Sequence, residues 1–136
     1  MVAAERIRIL VDTNILLRAI QNENPLCSVA RRALKTLHRQ NYQLCLTPQK
    51  VREFWNVCTG PTDHNGLGIS VSGTERRTRF LERYFIVLPD SAMMYSTWRQ
   101  LVTAHNVIGV KVHDAWLVAA MKICSTRGRG SRASDR

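Results

Sequence analysis

The 136-residue sequence lacks a long apolar run, a hydrophobic leader and a paired cysteine motif. Its longest uninterrupted apolar run covers residues 115–121, which is far too short to cross a bilayer. The N-terminal residues lead directly into a strand-like segment, which argues against a secretory signal peptide. These absences argue against a membrane protein and predict a cytoplasmic one.

The cysteines also lack the spacing of a metal site. They are Cys27, Cys45, Cys58 and Cys124. They form no C-x-x-C pair and no regular pattern, which predicts reduced core cysteines, a reducing compartment and no zinc. No Ser-His or Cys-His pair stands at a plausible place for nucleophilic catalysis.

Acidic charge is scarce relative to basic charge. The formal net charge is +10, and 45% of the residues are hydrophobic, which is enough for a packed domain and rules out wholesale disorder. Residues 122–136 hold five basic residues and one acidic residue, and the other 121 residues hold 15 basic and 9 acidic residues. This excess favours an anionic partner such as nucleic acid, although it also indicates solubility alone.

Strand-like and helix-like segments alternate along the chain. Strands are predicted at residues 6–11, 44–46 and 85–88. Helices are predicted at residues 15–20, 25–40, 48–58, 74–83, 91–104 and about 113–124. Thr47 should cap the third helix, and residues 60–73, with four of the seven glycines, should form a loop. This order predicts one α/β domain over residues 1–124, with a parallel sheet covered on both faces.

The C-terminal segment breaks this alternation. Residues 125–136 contain no Val, Ile, Leu, Met or aromatic residue. They cannot form a core strand, so we expect a disordered basic tail rich in Gly, Arg and Ser.

Two acidic residues stand at positions where function and helix capping are both reasonable. Asp12 directly follows an apolar strand, at the carboxyl end where open α/β sheets place their ligands, but it could simply cap the next helix. Asp114 begins a helix that is apolar all round, and the expected burial favours a function over a cap. Its neighbour His113 is better explained as a partly exposed histidine than as a ligand.

Glu53 gives no such signal. Val51, Phe54 and Cys58 belong to one apolar helix face, and Glu53 lies on nearly the opposite side. Periodicity alone therefore predicts a solvent-exposed glutamate outside any active site.

Four segments of the chain form recognisable motifs, namely Leu-Val-Asp-Thr-Asn-Ile-Leu-Leu at 10–17, Thr-Pro-Gln-x-x-x-Glu-Phe-Trp-Asn at 47–56, Asn-Gly-Leu-Gly at 65–68 and Val-His-Asp-Ala at 112–115. The first resembles the opening motif of PIN domains, particularly VapC-like toxins, and the other three resemble segments of one bacterial PIN subfamily. They occur in the family's order at similar spacing, and the likeness covers about residues 7–122.

The resemblance implies a metal-dependent ribonuclease. Asp12, Glu53 and Asp114 would match three of the family's usually four metal-binding acids, and the match overrides the periodicity argument for Glu53. Thr13 and Asn14 would orient Asp12 and the scissile phosphate. The implied fold is a PIN-like three-layer arrangement with a central parallel sheet and the acids at its carboxyl edge. Oxygen ligands of this kind suit Mg²⁺ or Mn²⁺.

The C-terminal end departs from the family pattern. PIN domains normally add a further apolar strand that ends in the fourth acid, and here that strand is missing. Asp135 falls near the right count but has no strand before it, so we expect it not to bind metal. The change in composition after Lys122 suggests a changed reading frame or a truncation.

The resemblance also implies partners, namely an RNA substrate, a cognate antitoxin and a second copy in a homodimer. The basic residues Arg76, Arg79 and Arg83 share one helix face and could bind RNA phosphates, although a solvated face with Glu75–Arg79 pairing is favoured. The leading expectation is a type II toxin endoribonuclease, impaired by its altered end. The alternatives are an inactive PIN remnant that still binds antitoxin or RNA, and a basic RNA-binding module whose acids are structural caps.

Overall fold

The computed structural model describes the backbone of residues 6–130 and the side chains of residues 6–123. Within this range the protein is mixed α/β, with a three-stranded parallel sheet and six α-helices. The predicted α/β class is therefore confirmed. The chain divides into two compact units, Met1–Val87 and Leu88–Arg136. The expectation of a single domain over residues 1–124 stays a prediction.

The sheet belongs to the first unit and has the strand order β1-β2-β3. The strands are β1 (Arg8–Leu10), β2 (Gln43–Leu46) and β3 (Ile86–Val87). Ile9 lies opposite Leu44 in the first pair, and Cys45 lies opposite Ile86 in the second. Both pairings are parallel, so the carboxyl ends of all three strands meet at one edge of the sheet. Each strand lies within or one residue beyond its predicted segment.

Four α-helices and one short 3₁₀-helix, Thr62–His64, complete the described part of the first unit. The α-helices are α1 (Thr13–Ile20), α2 (Cys27–Arg39), α3 (Pro48–Thr59) and α4 (Val71–Tyr84). Leu16, Leu46 and Phe54 form the centre of one core and are at most 1% exposed. Helix α3 contacts both α1 and α4, so more than one side of this helix is covered.

The predicted start of α3 is confirmed in detail. Thr47 has extended backbone angles, and its Oγ1 accepts the backbone N–H of Lys50 at 3.3 Å. Pro48 follows as the first helical residue, where its missing N–H leaves no broken hydrogen bond.

The glycine-rich loop is tied to the end of α3 by backbone hydrogen bonds. The N–H groups of Leu67 and Ile69 donate to carbonyls near the end of α3, at 2.9 and 2.8 Å. A Cβ on Gly66 would lie 2.1 Å from the carbonyl carbon of Gly60, so glycine is required there. Helix α4 begins at Val71, three residues before its predicted start, because Ser70 Oγ caps it by accepting the N–H of Gly73.

The second unit contains two helices, α5 (Ala92–Ala104) and α6 (Lys111–Gly130), which pack against each other. Met94 on α5 packs with Ala120 and Ile123 on α6. Trp98 Nε1 also donates to the carbonyl oxygen of Val112 at 2.8 Å. The hydrogen bond from Trp98 and the shared apolar contacts therefore join the two helices of this unit.

Two predictions about α6 need correction. The expectation of burial all round is wrong, because Ala119 and Ala120 are buried whereas Val118 is 50% exposed. The helix also continues to Gly130, beyond the predicted end near Cys124, since no proline follows to stop it. Residues 131–136, including Asp135, lie outside the described residues. Across residues 6–130 there is no strand after β3, and no helix is both long and apolar enough to span a membrane.

Candidate carboxylate site at the sheet edge

Two neighbouring strands of the first unit end at the same edge of the sheet. β1 is followed by Asp12 and the start of α1, and β2 is followed by Thr47 and the start of α3. Because β1 and β2 are parallel, the first turns of α1 and α3 lie beyond the same sheet edge. Polar residues from two distant parts of the sequence meet there.

Asp12 occupies the N-cap position of α1, but its side chain makes no capping hydrogen bond. Its Oδ1 instead lies 3.6 Å from Lys50 Nζ on α3. The side chain is 58% exposed, so it remains open to solvent on one side. This geometry weighs against capping as the reason for an aspartate at this position.

Glu53 lies beside Asp12 rather than on an isolated solvent face. Its Oε2 is 3.5 Å from the same Lys50 Nζ and accepts a hydrogen bond from Thr13 Oγ1 at 3.1 Å. Its Oε1 accepts a hydrogen bond from Gln49 Nε2 at 3.2 Å. The side chain is 43% exposed, which is less than periodicity predicted, because α1 covers this side of α3.

Sequence reasoning did not single out Lys50. Its side chain is only 17% exposed and places one ammonium group between two carboxylates that are 41 positions apart in the chain. The available signal was its spacing of three residues from Glu53, which places both side chains on one face of α3. That spacing is common on helix surfaces, and the second partner, Asp12, was visible only in three dimensions.

The predicted positioning residues differ in their surroundings. Thr13 is 5% exposed, and its hydroxyl has the carbonyl oxygen of Lys50 as a second acceptor at 3.4 Å. It therefore holds Glu53, whereas the resemblance assigned it to Asp12. Asn14 is exposed on the next position of α1.

Asp114 belongs to the second unit, where it lies in the first turn of α6. It is exposed, and so is His113. A carboxylate in the first turn interacts favourably with the helix dipole, which accounts for its place without a metal. The burial that favoured a functional Asp114 is absent.

The arginine face of α4 has the pairing that was favoured from the sequence. Arg79 Nε lies 3.0 Å from Glu75 Oε1, with the arginine side chain 74% exposed. Arg76 and Arg83 are exposed as well. An exposed pair at this spacing contributes only about 0.3–0.5 kcal/mol.

The described cysteine side chains, Cys27, Cys45 and Cys58, are buried. Burial raises the pKa of the Cys58 thiol from 9.0 to about 11, and nearby Arg77 lowers it only in part. This thiol is therefore protonated at neutral pH, when it is neither a nucleophile nor a metal ligand. The side chain of Cys124 lies outside the described ones.

The oxygen ligands at the sheet edge have the chemistry of a divalent-cation site but are few. Asp12 and Glu53 share one cationic neighbour, Lys50 Nζ, and carboxylate oxygens are ligands that divalent cations accept. Among the side chains that the structure describes, no three His, Cys, Asp or Glu residues are grouped closely enough to hold a metal. A metal would need to displace Lys50 Nζ and obtain further oxygens from water or substrate.

No family model matches the chain, and its sequence matches no curated protein.

Proposed function

We propose that this protein is a PIN-type endoribonuclease that hydrolyses RNA phosphodiester bonds with Mg²⁺ or Mn²⁺, as the cytoplasmic toxin of a type II toxin–antitoxin pair. The observation that carries the proposal is the meeting of Asp12 and Glu53 around Lys50 Nζ, at 3.6 and 3.5 Å. The motif resemblance selected Glu53 against its own helical periodicity. The position of Glu53 beside Asp12 supports that selection.

Each of the chain's own residues would have a separate role at this site. Asp12 and Glu53 would hold the metal, and Thr13 keeps Glu53 in place by donating a hydrogen bond from a buried hydroxyl. Asn14 would contact the scissile phosphate, and by the resemblance Asp114 would match a third acid of the family. A bound divalent metal lowers the pKa of its water and stabilises the leaving oxygen.

A second surface in the first unit suits the proposed antitoxin. An apolar cavity of about 500 Å³ is lined by side chains that include Leu16, Phe54 and Leu81. Exposed Phe80 and Tyr84 also line it and stack on each other with ring centroids 4.6 Å apart. Basic side chains share the lining, so an apolar partner segment with acidic residues would be complementary. Dimerisation is proposed from the resemblance alone.

An RNA cleavage assay with single carboxylate substitutions tests the nuclease. We expect wild-type protein to cut RNA in Mg²⁺ or Mn²⁺ and to stop in EDTA. Asp12→Asn and Glu53→Gln should each lower the cleavage rate at least about a hundredfold. Mutating residues that only orient metal ligands already lowers metal affinity or activity about 10–100-fold. Glu75→Gln removes one paired, partly exposed acid on α4 and is the matched control. No cleavage by wild-type protein, or full cleavage by Asp12→Asn, would contradict the proposal.

A second candidate function is an inactive PIN remnant that binds RNA or antitoxin without cleaving. The position of Lys50 favours it, because its ammonium group already lies between the two acids that a metal would need and compensates one of their two charges. The two functions differ in calorimetric titration with Mn²⁺. A nuclease should bind Mn²⁺, and Lys50→Gln should tighten that binding because it removes the competing charge. The remnant should bind no Mn²⁺ in either form while retaining RNA.

A further inference from the structure

Helix α2 borders a polar groove outside the carboxylate site, and Arg31, Lys35 and Arg39 line both this groove and the neighbouring apolar cavity. The groove has a volume of about 510 Å³. Its basic lining residues are Arg31, Arg32, Lys35 and Arg39, and Asn22 and Asn24 come from the preceding turn. Spacings of three and four residues place these cations along one side of α2.

The surrounding sequence leaves this basic charge without local compensation. Between Asp12 and Glu53 the chain has seven basic residues and a single acidic residue, Glu23. Helix α2 itself contains no acid. The field at this groove is therefore strongly positive, which concentrates a polyanion near it.

One of the four cations is fixed, and three are free to bind. Arg31 Nε donates to the carbonyl oxygen of Ala19 at 2.7 Å, and its second guanidinium nitrogen donates to Asn22 Oδ1 at 2.9 Å. These bonds hold the groove wall in shape. Arg32, Lys35 and Arg39 are exposed and have no ion pair within the described part of the chain.

Helix α4 differs from α2 because acidic residues lie among its arginines. Its arginine face is interrupted by Glu75 and Glu82, and Arg79 is already paired with Glu75 at 3.0 Å. Binding a phosphate there would first require that pair to break. The α2 groove has no such competitor among its lining residues.

We infer that the α2 groove binds the phosphate backbone of single-stranded RNA. The inference rests on the proposed function for the choice of RNA as the polyanion. An acidic protein segment is the less suitable occupant of the groove itself, because protein interfaces depend on apolar anchors, and the apolar side chains line the neighbouring cavity whereas the groove lining is polar apart from Cys27. Phosphates need only cations and hydrogen-bond donors, which the groove provides.

RNA binding in EDTA tests this inference separately from catalysis. The test variant is Arg32→Gln/Lys35→Gln/Arg39→Gln, and the control is Arg76→Gln/Arg79→Gln/Arg83→Gln on α4. Both remove three exposed positive charges from a helix of the first unit, so their effect on net charge is identical. Affinity for a fluorescent single-stranded RNA is measured by anisotropy from 50 to 200 mM salt, with circular dichroism to check folding.

The α2 variant should bind at least about tenfold more weakly than wild type at 100 mM salt. The slope of log affinity against log salt is negative, and its magnitude should decrease by about 2 in this variant, since each single-strand phosphate contact contributes about 0.7. The α4 variant should lose less than half as much. Equal losses in the two variants would overturn the inference, and so would competition by polyglutamate as strong as that by RNA. Loss of cleavage with retained α2-dependent binding would reject only the nuclease.

Discussion

The predicted acidic site residues have different surroundings in the two units. In the first unit, the ends of parallel strands β1 and β2 bring Asp12 and Glu53 to one lysine, and a buried threonine holds the glutamate. In the second unit, Asp114 is an exposed residue in the first turn of α6. A sheet edge concentrates polar groups from distant segments, whereas Asp114 lies on an exposed part of its own helix. The same motif resemblance therefore has unequal support in the two units.

The largest expected effects concern the separate cores. Phe54→Ala in the first unit should lower the free energy of unfolding by about 3–5 kcal/mol, and Met94→Ala in the second by about 2–5 kcal/mol. Both side chains are at most 1% exposed. Denaturant unfolding gives the totals, and hydrogen exchange shows where protection is lost. Phe54→Ala should expose β1 and β2 first, and Met94→Ala should expose α5 and α6. Equal loss throughout the chain would mean that the two cores unfold as one.

Asp114→Asn measures whether the second unit contributes to the proposed chemistry. Because Asp114 is the proposed third acid, its substitution should lower the rate of RNA cleavage at least about a hundredfold, as expected for Asp12→Asn. Stability should change by no more than about 0.3–1 kcal/mol, the usual strength of a helix-dipole contact. Asp90→Asn removes another exposed acid of the same unit and serves as control. If Asp114→Asn cleaves RNA at the wild-type rate, the proposed site consists only of residues of the first unit.

Alkaline pH should weaken the first unit through Cys58. Its pKa is raised to about 11 when folded, against 9.0 ordinarily, so the unfolded chain releases this proton first. Stability should therefore be constant below pH 9 for this group and fall between pH 9 and 11, by roughly 2–3 kcal/mol at most. Cys58→Val should flatten that fall in a series of denaturant titrations. An unchanged pH slope would assign the alkaline loss to other groups.

The smallest difference concerns two helix caps. Thr47→Ala should destabilise the protein by about 1 kcal/mol, because the Thr47 side chain caps α3. Ser91 holds the corresponding position before α5 but makes no capping bond, and its Oγ is buried with no hydrogen-bond partner in the described structure. Ser91→Ala should therefore be neutral or slightly stabilising. Thermal unfolding of the two variants compares them directly. Equal destabilisation would show that Ser91 has a partner in solution.

Some structural features followed from local pattern. The three strand segments were predictable because alternating and continuous apolar residues form strands that enter a core. The start of α3 was predictable because threonine followed by proline satisfies the first turn of a helix by itself. Errors arose where local pattern ended, as in the burial of Val118, which depends on how many neighbours surround α6.

The sequence by itself determined the α/β class, the order of helices and strands, and the position of Asp12 at a strand end. Tertiary structure alone decided that Glu53 is partly covered and that Lys50 lies between two carboxylates. The hydrogen bond from Thr13 to Glu53 joins residues 40 positions apart. Such contacts depend on which strands pair and which helix sides are covered, and helical periodicity, a property of one segment, contains no information about either.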